Sequence, residues 1–188
     1  MSNYHFEVTI ISRGKGRSVT SSVSYISGRA LHDIHNGKTY YKHREDLAWQ
    51  KIFLPDHAPA EFPQLQHLCD EIECAEMRWD ARTGRQLTAS LPNELPLGEL
   101  VRIVHEFVAD NFTSQGLCTV AAIHRKHNHH DPKKNNPHVH MIVLSLGFKA
   151  LMTDLNVQSV SFVGSILNRC PLLPPDGNVF SFIVFPVL

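Results

Sequence analysis

Two histidines separated by one apolar residue, in Asn136-Pro137-His138-Val139-His140-Met141-Ile142, are the part of this chain best suited to chemistry. The run reads as a short strand, and the two-residue period of a strand turns both imidazoles to one face, where they form a two-pronged metal ligand. Residues 117 to 123 (LCTVAAI) read as a second short apolar strand, and it ends at His124. If the two strands pair antiparallel, cross-strand neighbours lie ~5 Å apart at Cβ, and His124 comes close to the pair. Three imidazoles then converge on one cation. A strand histidine is also often an ordinary hydrogen-bonded core group, so the His-x-His pair alone does not decide the matter. The balance shifts because a helical tyrosine after an N-terminal strand, a basic glycine loop and a histidine-ended strand accompany it. All-imidazole ligation favours Mn²⁺, Ni²⁺, Co²⁺ or Zn²⁺ by intrinsic affinity, whereas cellular abundance favours Mg²⁺ or Mn²⁺.

The elements that must position these groups follow from pattern. Residues 6 to 12 (FEVTIIS) are β-branched and apolar, a buried strand broken by the flexible basic loop Arg13-Gly14-Lys15-Gly16-Arg17. Ser18 is an N-cap for a helix in which Val19, Val23, Ile26 and Ala30 share one face, with Tyr25 near its middle or later turns. Asn36-Gly37 signals a type I′ hairpin. Pro55, Pro59 and Pro63 mark a loop, and Leu65, Leu68, Ile72, Ala75 and Trp79 then line one face of an amphipathic helix from Gln64 to about Arg82. Leu87, Ala89 and Leu91 alternate as a half-buried strand. Leu97 to Val108 repeat at helical spacing in a second long helix that stops at Gly116. Helices on one side of an antiparallel sheet, an α+β fold, are implied.

Composition bounds the partners. A hydrophobic share of 43% with 19% charged residues excludes wholesale disorder. Eighteen basic residues balance eighteen acidic ones, so the chain lacks the overall positive field of a non-specific nucleic-acid binder. The excess of basic residues lies at the two ends, in residues 1 to 50 and 111 to 188, while residues 51 to 110 are acidic. Any DNA site must be built from those ends. Cys69, Cys74, Cys118 and Cys170 form no C-x-x-C pair, which points to reduced thiols. With no signal peptide and no apolar run near the ~18 residues that span a bilayer, the expectation is a cytoplasmic protein without membrane insertion.

Read together, these motifs resemble the MobA/MobL plasmid mobilisation relaxases, a branch of the HUH endonucleases. The resemblance covers about residues 4 to 145. It rests on Ser12-Arg13 with Gly16-Arg17-Ser18, Ser24-Tyr25 with Ser27-Gly28, Tyr40 to Arg44, Ser90-Leu91-Pro92-Asn93-Glu94-Leu95, Ile123-His124 and Asn136-Pro137-His138-Val139-His140. It implies a central antiparallel five-stranded sheet with flanking helices, Tyr25 as the nucleophile, and His124, His138 and His140 as ligands of a divalent metal. The implied activity is site- and strand-specific nicking of single-stranded DNA at a plasmid origin of transfer through a 5′-phosphotyrosyl intermediate. Accessory mobilisation proteins and a conjugative coupling protein are the implied partners. Arg13, Lys15, Arg17, Tyr40 and Arg44 are candidate DNA contacts, the first three because glycine neighbours let a loop approach the phosphate backbone. A purely structural surface loop explains them equally well.

The chain also departs from the family. Relatives carry an acidic residue on the strand before the Leu-Pro motif, where it orients a metal histidine; here the stretch is Arg85-Gln86-Leu87-Thr88. Gln86 can accept a hydrogen bond from a ring N–H but supplies no charge, which implies weaker metal binding or a slower reaction. The segment His127-Asn128-His129-His130-Asp131 spells H-N-H, yet reads as a solvated polar loop. The domain is expected to end near residue 147, and residues 148 to 188 read as a frameshifted or truncated tail. Two rivals stand beside the nickase: a rolling-circle replication initiator, which places its tyrosine after the histidines, and a catalytically impaired DNA-binding fragment.

Overall fold

The computed structural model describes residues 5–56, 58–126 and 135–144. Strand β1 (Phe6–Ser12) leads through a tight turn to helix α1 (Val19–Ser27), then to the small hairpin β2 (Leu31–Asp33) and β3 (Lys38–Tyr40) and the edge strand β4 (Leu47–Phe53). Helix α2 (Leu65–Ala75), β5 (Arg82–Ser90), helix α3 (Leu97–Asn111), β6 (Thr119–His124) and β7 (His138–Leu144) follow. The five long strands form one antiparallel sheet in the order β1-β5-β7-β6-β4. The expected α+β fold with a five-stranded antiparallel sheet is therefore present. The H-N-H loop and the tail fall outside the described residues.

Helices cover both faces of this sheet, not one. The reason lies in β6 and β7, which are apolar at both parities. Ala121, Ile123, Val139, Met141 and Val143 pack against Leu100, Ile103, Val104, Phe107 and Val108 of α3. Val120, Ala122, Ile142 and Leu144 pack against Val19, Val23 and Ile26 of α1 and Leu68 and Ile72 of α2. A strand buried on both sides loses the alternation that would mark a half-exposed sheet. Fully burying such a side chain contributes about 1.5–3 kcal/mol, so the two layers clamp the central strands.

The hairpin also differs from expectation. A type I′ turn needs positive φ at both central residues, but among the described residues only glycines have positive φ, with Gly37 at 67°. Buried Asp33 organises a four-residue loop instead: its carboxylate accepts from the backbone N–H of His35 and Asn36 and from the Asn36 amide. Such side-chain mimicry of a turn is what aspartate does well.

Helix α2 ends at Ala75, earlier than the apolar spacing suggests, and Trp79 stands 79% exposed. Its C-terminal carbonyls have no helical partner and must find donors elsewhere. Arg13 supplies them: its guanidinium donates to the carbonyls of Glu73 (2.7 Å), Glu76 and Arg78 (3.2 Å). The same group meets the Glu73 carboxylate at Oε2, at 2.6 and 3.1 Å. Their side chains are 5% and 0% exposed. The Arg13 side chain is thus engaged with Glu73 and the end of α2, which leaves little of its guanidinium for the DNA contact expected of it. Glu73 Oε1 accepts from the N–H of Val19 at 3.1 Å, so one carboxylate ties the end of α2 to the start of α1.

Replacing Arg13 with Met leaves an uncompensated buried carboxylate and is expected to destabilise the fold by about 3–5 kcal/mol. Urea denaturation checks this; an unchanged midpoint with weakened DNA binding would restore Arg13 to the DNA surface. Burial raises the Cys69 thiol to about 12, with Asp70 and Glu73 adding to the shift, and burial raises Cys118 to about 11. Since the thiolate is the reactive form, native-state alkylation read by peptide mass spectrometry is expected to label exposed Cys74 and spare Cys69 and Cys118.

Candidate functional site

The face of the sheet beneath α1 carries the polar residues of β5, β6 and β7 at one parity. His124 pairs directly with His138 across β6 and β7, and His140 pairs with Ala122 on one side and Thr88 of β5 on the other. Antiparallel register thus places three imidazoles side by side. Their ring centroids lie 4.9 to 5.4 Å apart. One ligand nitrogen from each comes within 4.8 Å of the others. His124 is 0% and His140 8% exposed.

Each histidine has one ring nitrogen assigned by a neighbour, and the other is left to carry the lone pair. His138 donates from Nδ1 to the Asn136 carbonyl at 2.8 Å, which leaves Nε2. His140 faces Thr88 Oγ1 with Nδ1 at 3.0 Å, again leaving Nε2. His124 donates from Nε2 to the Ile26 carbonyl at 2.8 Å, which leaves Nδ1. Burial lowers the pKa of His140 to about 3, with the neighbouring histidines and Arg44 pushing the same way. Burial also lowers His124, opposed by the Ile26 carbonyl. Both are neutral at neutral pH and hold their lone pairs free of protons. Three imidazoles that can reach one point suit a divalent transition ion.

Tyr25 reaches the same place from above. Ser18 caps α1 by accepting from the Ser21 N–H at 3.0 Å, and Gly28 closes the helix with φ 65°. The nine-residue helix buries Val19, Val23 and Ile26 and leaves Tyr25 43% exposed on its outer side. The Tyr25 ring stands edge-on to His140, 6.2 Å between centroids. The Arg44 guanidinium lies over the same ring, 4.4 Å from its centre, and donates to His124 Nδ1. Its Nε is 3.3 Å from Asp46. Gly28 is needed twice here, for its left-handed backbone and because a Cβ would come 3.2 Å from the Arg44 side chain.

Four of the residues singled out in the sequence, Tyr25, His124, His138 and His140, are therefore brought together, and Arg44 stands among them. Gln86 lies beside His140, but its amide nitrogen is 3.4 Å from Nδ1 while its Oε1 accepts from Arg17 at 3.3 Å. Thr88, not Gln86, is the closer partner of His140. Its signal was available in the pairing of β5 with β7, because Thr88 is the direct cross-strand neighbour of His140. Lys15 is exposed on the turn after β1. The Tyr40 hydroxyl accepts from Asn36 inside the hairpin. Asp46 and the Ile26 carbonyl went unnoticed in the sequence because neither belongs to a motif.

Comparison with known proteins bears on the family and fold of the chain. The MobA/MobL family model matches residues 17–150. A protein of Bifidobacterium longum described as "Probable mobilization protein MobA" is 33% identical over 144 residues, 76% of this chain and 25% of that protein. A "Conjugal transfer protein TraA" of Agrobacterium fabrum is 29% identical over 149 residues, covering 73% of this chain and 13% of its own length. The chain thus spans about a quarter or less of these relatives. A solved structure described as "Molecular Basis of Vancomycin Resistance Transfer in Staphylococcus aureus" shares the fold, with a TM-score of 0.71, 20% identity and coverage of 89% of this chain and 90% of that one. The family match covers most of the strands and helices that build the histidine site, and on it the chain belongs to the MobA/MobL family.

Proposed function

We propose that this chain nicks single-stranded DNA at a plasmid origin of transfer, with Tyr25 as the nucleophile beside a divalent ion held by His124, His138 and His140. The observation that carries this reading is the edge-on approach of Tyr25 to His140 within one cluster of three imidazoles. Tyr25 Oη attacks the scissile phosphorus, the bond from phosphorus to the 3′ oxygen breaks, and the 3′-OH leaves with a proton. The 5′ side stays on the enzyme as a phosphotyrosyl ester, and reversal of the same exchange reseals the strand. When bound, the ion, Mg²⁺ or Mn²⁺, polarises the phosphate oxygens and offsets the charge that develops in the transition state.

The chain's own residues prepare this chemistry. The Asn136 and Ile26 carbonyls set which nitrogen His138 and His124 present, and Thr88 holds Nδ1 of His140. Partial exposure of Tyr25 lets a DNA strand reach its hydroxyl. Lys15 and Arg17 follow β1 as cations for the phosphate backbone, contacts that add affinity without reading sequence. Thr88 and Gln86 support His140 with neutral groups only, so ligand basicity is lower than a carboxylate partner would give. Accessory mobilisation proteins, a coupling protein and a cytoplasmic location belong to the same reading, in line with the relatives' names for mobilisation and conjugal transfer. Among the described residues no helix is long and apolar enough to cross a membrane.

Full-length protein incubated with Mn²⁺ and single-stranded oligonucleotides tiling the origin of its cognate plasmid is expected to form a covalent adduct visible on a denaturing gel. Tyr25→Phe should abolish the adduct, and equal adduct from both proteins would sink the nickase reading. His138→Ala, or removal of metal with EDTA, should lower cleavage by about 100-fold or more, the scale of several kcal/mol of lost charge stabilisation. DNA binding should largely persist, because phosphate contacts supply it. By calorimetry, Thr88→Val should weaken Mn²⁺ binding about 10- to 100-fold. Gln86→Leu should do less, in keeping with its longer contact; the reverse order would make Gln86 the orienting residue.

A further inference from the structure

Arg44 occupies an unusual position for a surface cation. Its side chain is 11% exposed, and its stem is pressed against Gly28 at the end of α1. Its head lies over the Tyr25 ring, beside Asp46, with one N–H directed at His124 Nδ1. His124 Nε2 faces the Ile26 carbonyl at 2.8 Å and must carry the proton there, because two lone pairs would repel at that distance. Nδ1 therefore holds the only lone pair that His124 can offer to anything.

We infer that Arg44 is a latch on the metal site: its guanidinium competes with a divalent cation for His124 Nδ1, so that loading the site releases Arg44 toward the DNA. The inference rests on the metal-binding reading proposed above and adds a residue with two alternative partners to it. One lone pair cannot serve both an N–H donor and a metal ion, and two cations brought to one imidazole repel each other. Arg44 must withdraw when His124 takes up a ligand role. It does not leave the site, because Asp46 and the face of Tyr25 continue to hold it. Withdrawn by this short distance, it presents a planar fork of donors beside the nucleophile, which suits a phosphate oxygen pair. Without metal, the latch keeps His124 satisfied and rests on the tyrosine ring. The charge needed for phosphate binding is thereby stored within the site.

Calorimetric titration of the full chain with Mn²⁺ alone, without DNA, tests the competition. Arg44→Met keeps an apolar stem over Tyr25 and removes the donor, and it is expected to bind Mn²⁺ about tenfold tighter than the natural protein, near the worth of one hydrogen bond. Equal or weaker binding by the folded variant overturns the latch. A second measurement needs no variant: modification of Arg44 by phenylglyoxal, read by peptide mass spectrometry, should rise several-fold when Mn²⁺ is added. Unchanged reactivity at saturating Mn²⁺ also overturns it. If the natural protein shows no Mn²⁺ binding that His138→Ala removes, the metal site itself falls and the latch with it. If that binding is present while both Arg44 readouts stay still, only the latch falls.

Discussion

A single buried carboxylate holds this structure in its working arrangement. Glu73, 0% exposed at the side chain, accepts the Arg13 guanidinium on one oxygen and the N–H of Val19 on the other. A charge in such a place is costly unless fully paired, and the pairing it demands fixes three elements at once. The end of β1, the start of α1 and the last turn of α2 are tied together through it. Helix α1 then runs from Glu73 at its first residue to His124, which takes the Ile26 carbonyl near its last. A nine-residue helix held at both ends has little freedom to carry Tyr25 elsewhere. The position of the tyrosine over the histidines follows from contacts at both ends of its helix.

The sheet supplies the other half of the arrangement. Its central strands are clamped between α3 on one side and α1 with α2 on the other, so their register cannot slip without exposing apolar side chains. On the α1 side, the ends of β6 and β7 exchange apolar residues for histidine while keeping the same parity. His124 and His138 continue the row begun by Val120, Ala122, Ile142 and Leu144. The histidine cluster is thus a polar extension of a core layer and shares its rigidity. Gly84 shows how close that layer is: a Cβ there would come 2.8 Å from the Val143 carbonyl on the neighbouring strand.

Polar partners complete the site by assigning protons. The Asn136 and Ile26 carbonyls each take a ring N–H, and Thr88 can accept the third. Burial disfavours the protonated form of His124 and His140. What results is three clustered imidazoles facing a tyrosine and an arginine. None of these contacts uses a carboxylate on β5; Thr88 and Gln86 are the β5 side chains beside His140.

Much of this was legible in the residues themselves. The His-x-His spacing determines that both rings share a face, because a strand alternates sides whatever it packs against. Ser18 opens a helix through local backbone chemistry alone and stands where α1 begins, whereas the face expected to run on to Ala30 stops at Ser27, closed by the left-handed Gly28. The three apolar runs 6–12, 117–123 and 139–144 announced strands for the same local reason. The roles of the arginines were not legible. Arg13 and Arg44 are the same residue type in similarly polar, basic stretches. One is sealed against Glu73, 60 residues away, and the other donates to His124, 80 residues away. The early end of α2 had the same origin, since a guanidinium from a distant turn took the carbonyls that another helical turn would have used. Local pattern determines which way a side chain points along its own element. Which partner it meets depends on how elements far apart in the chain are packed, and here only the tertiary structure decided it.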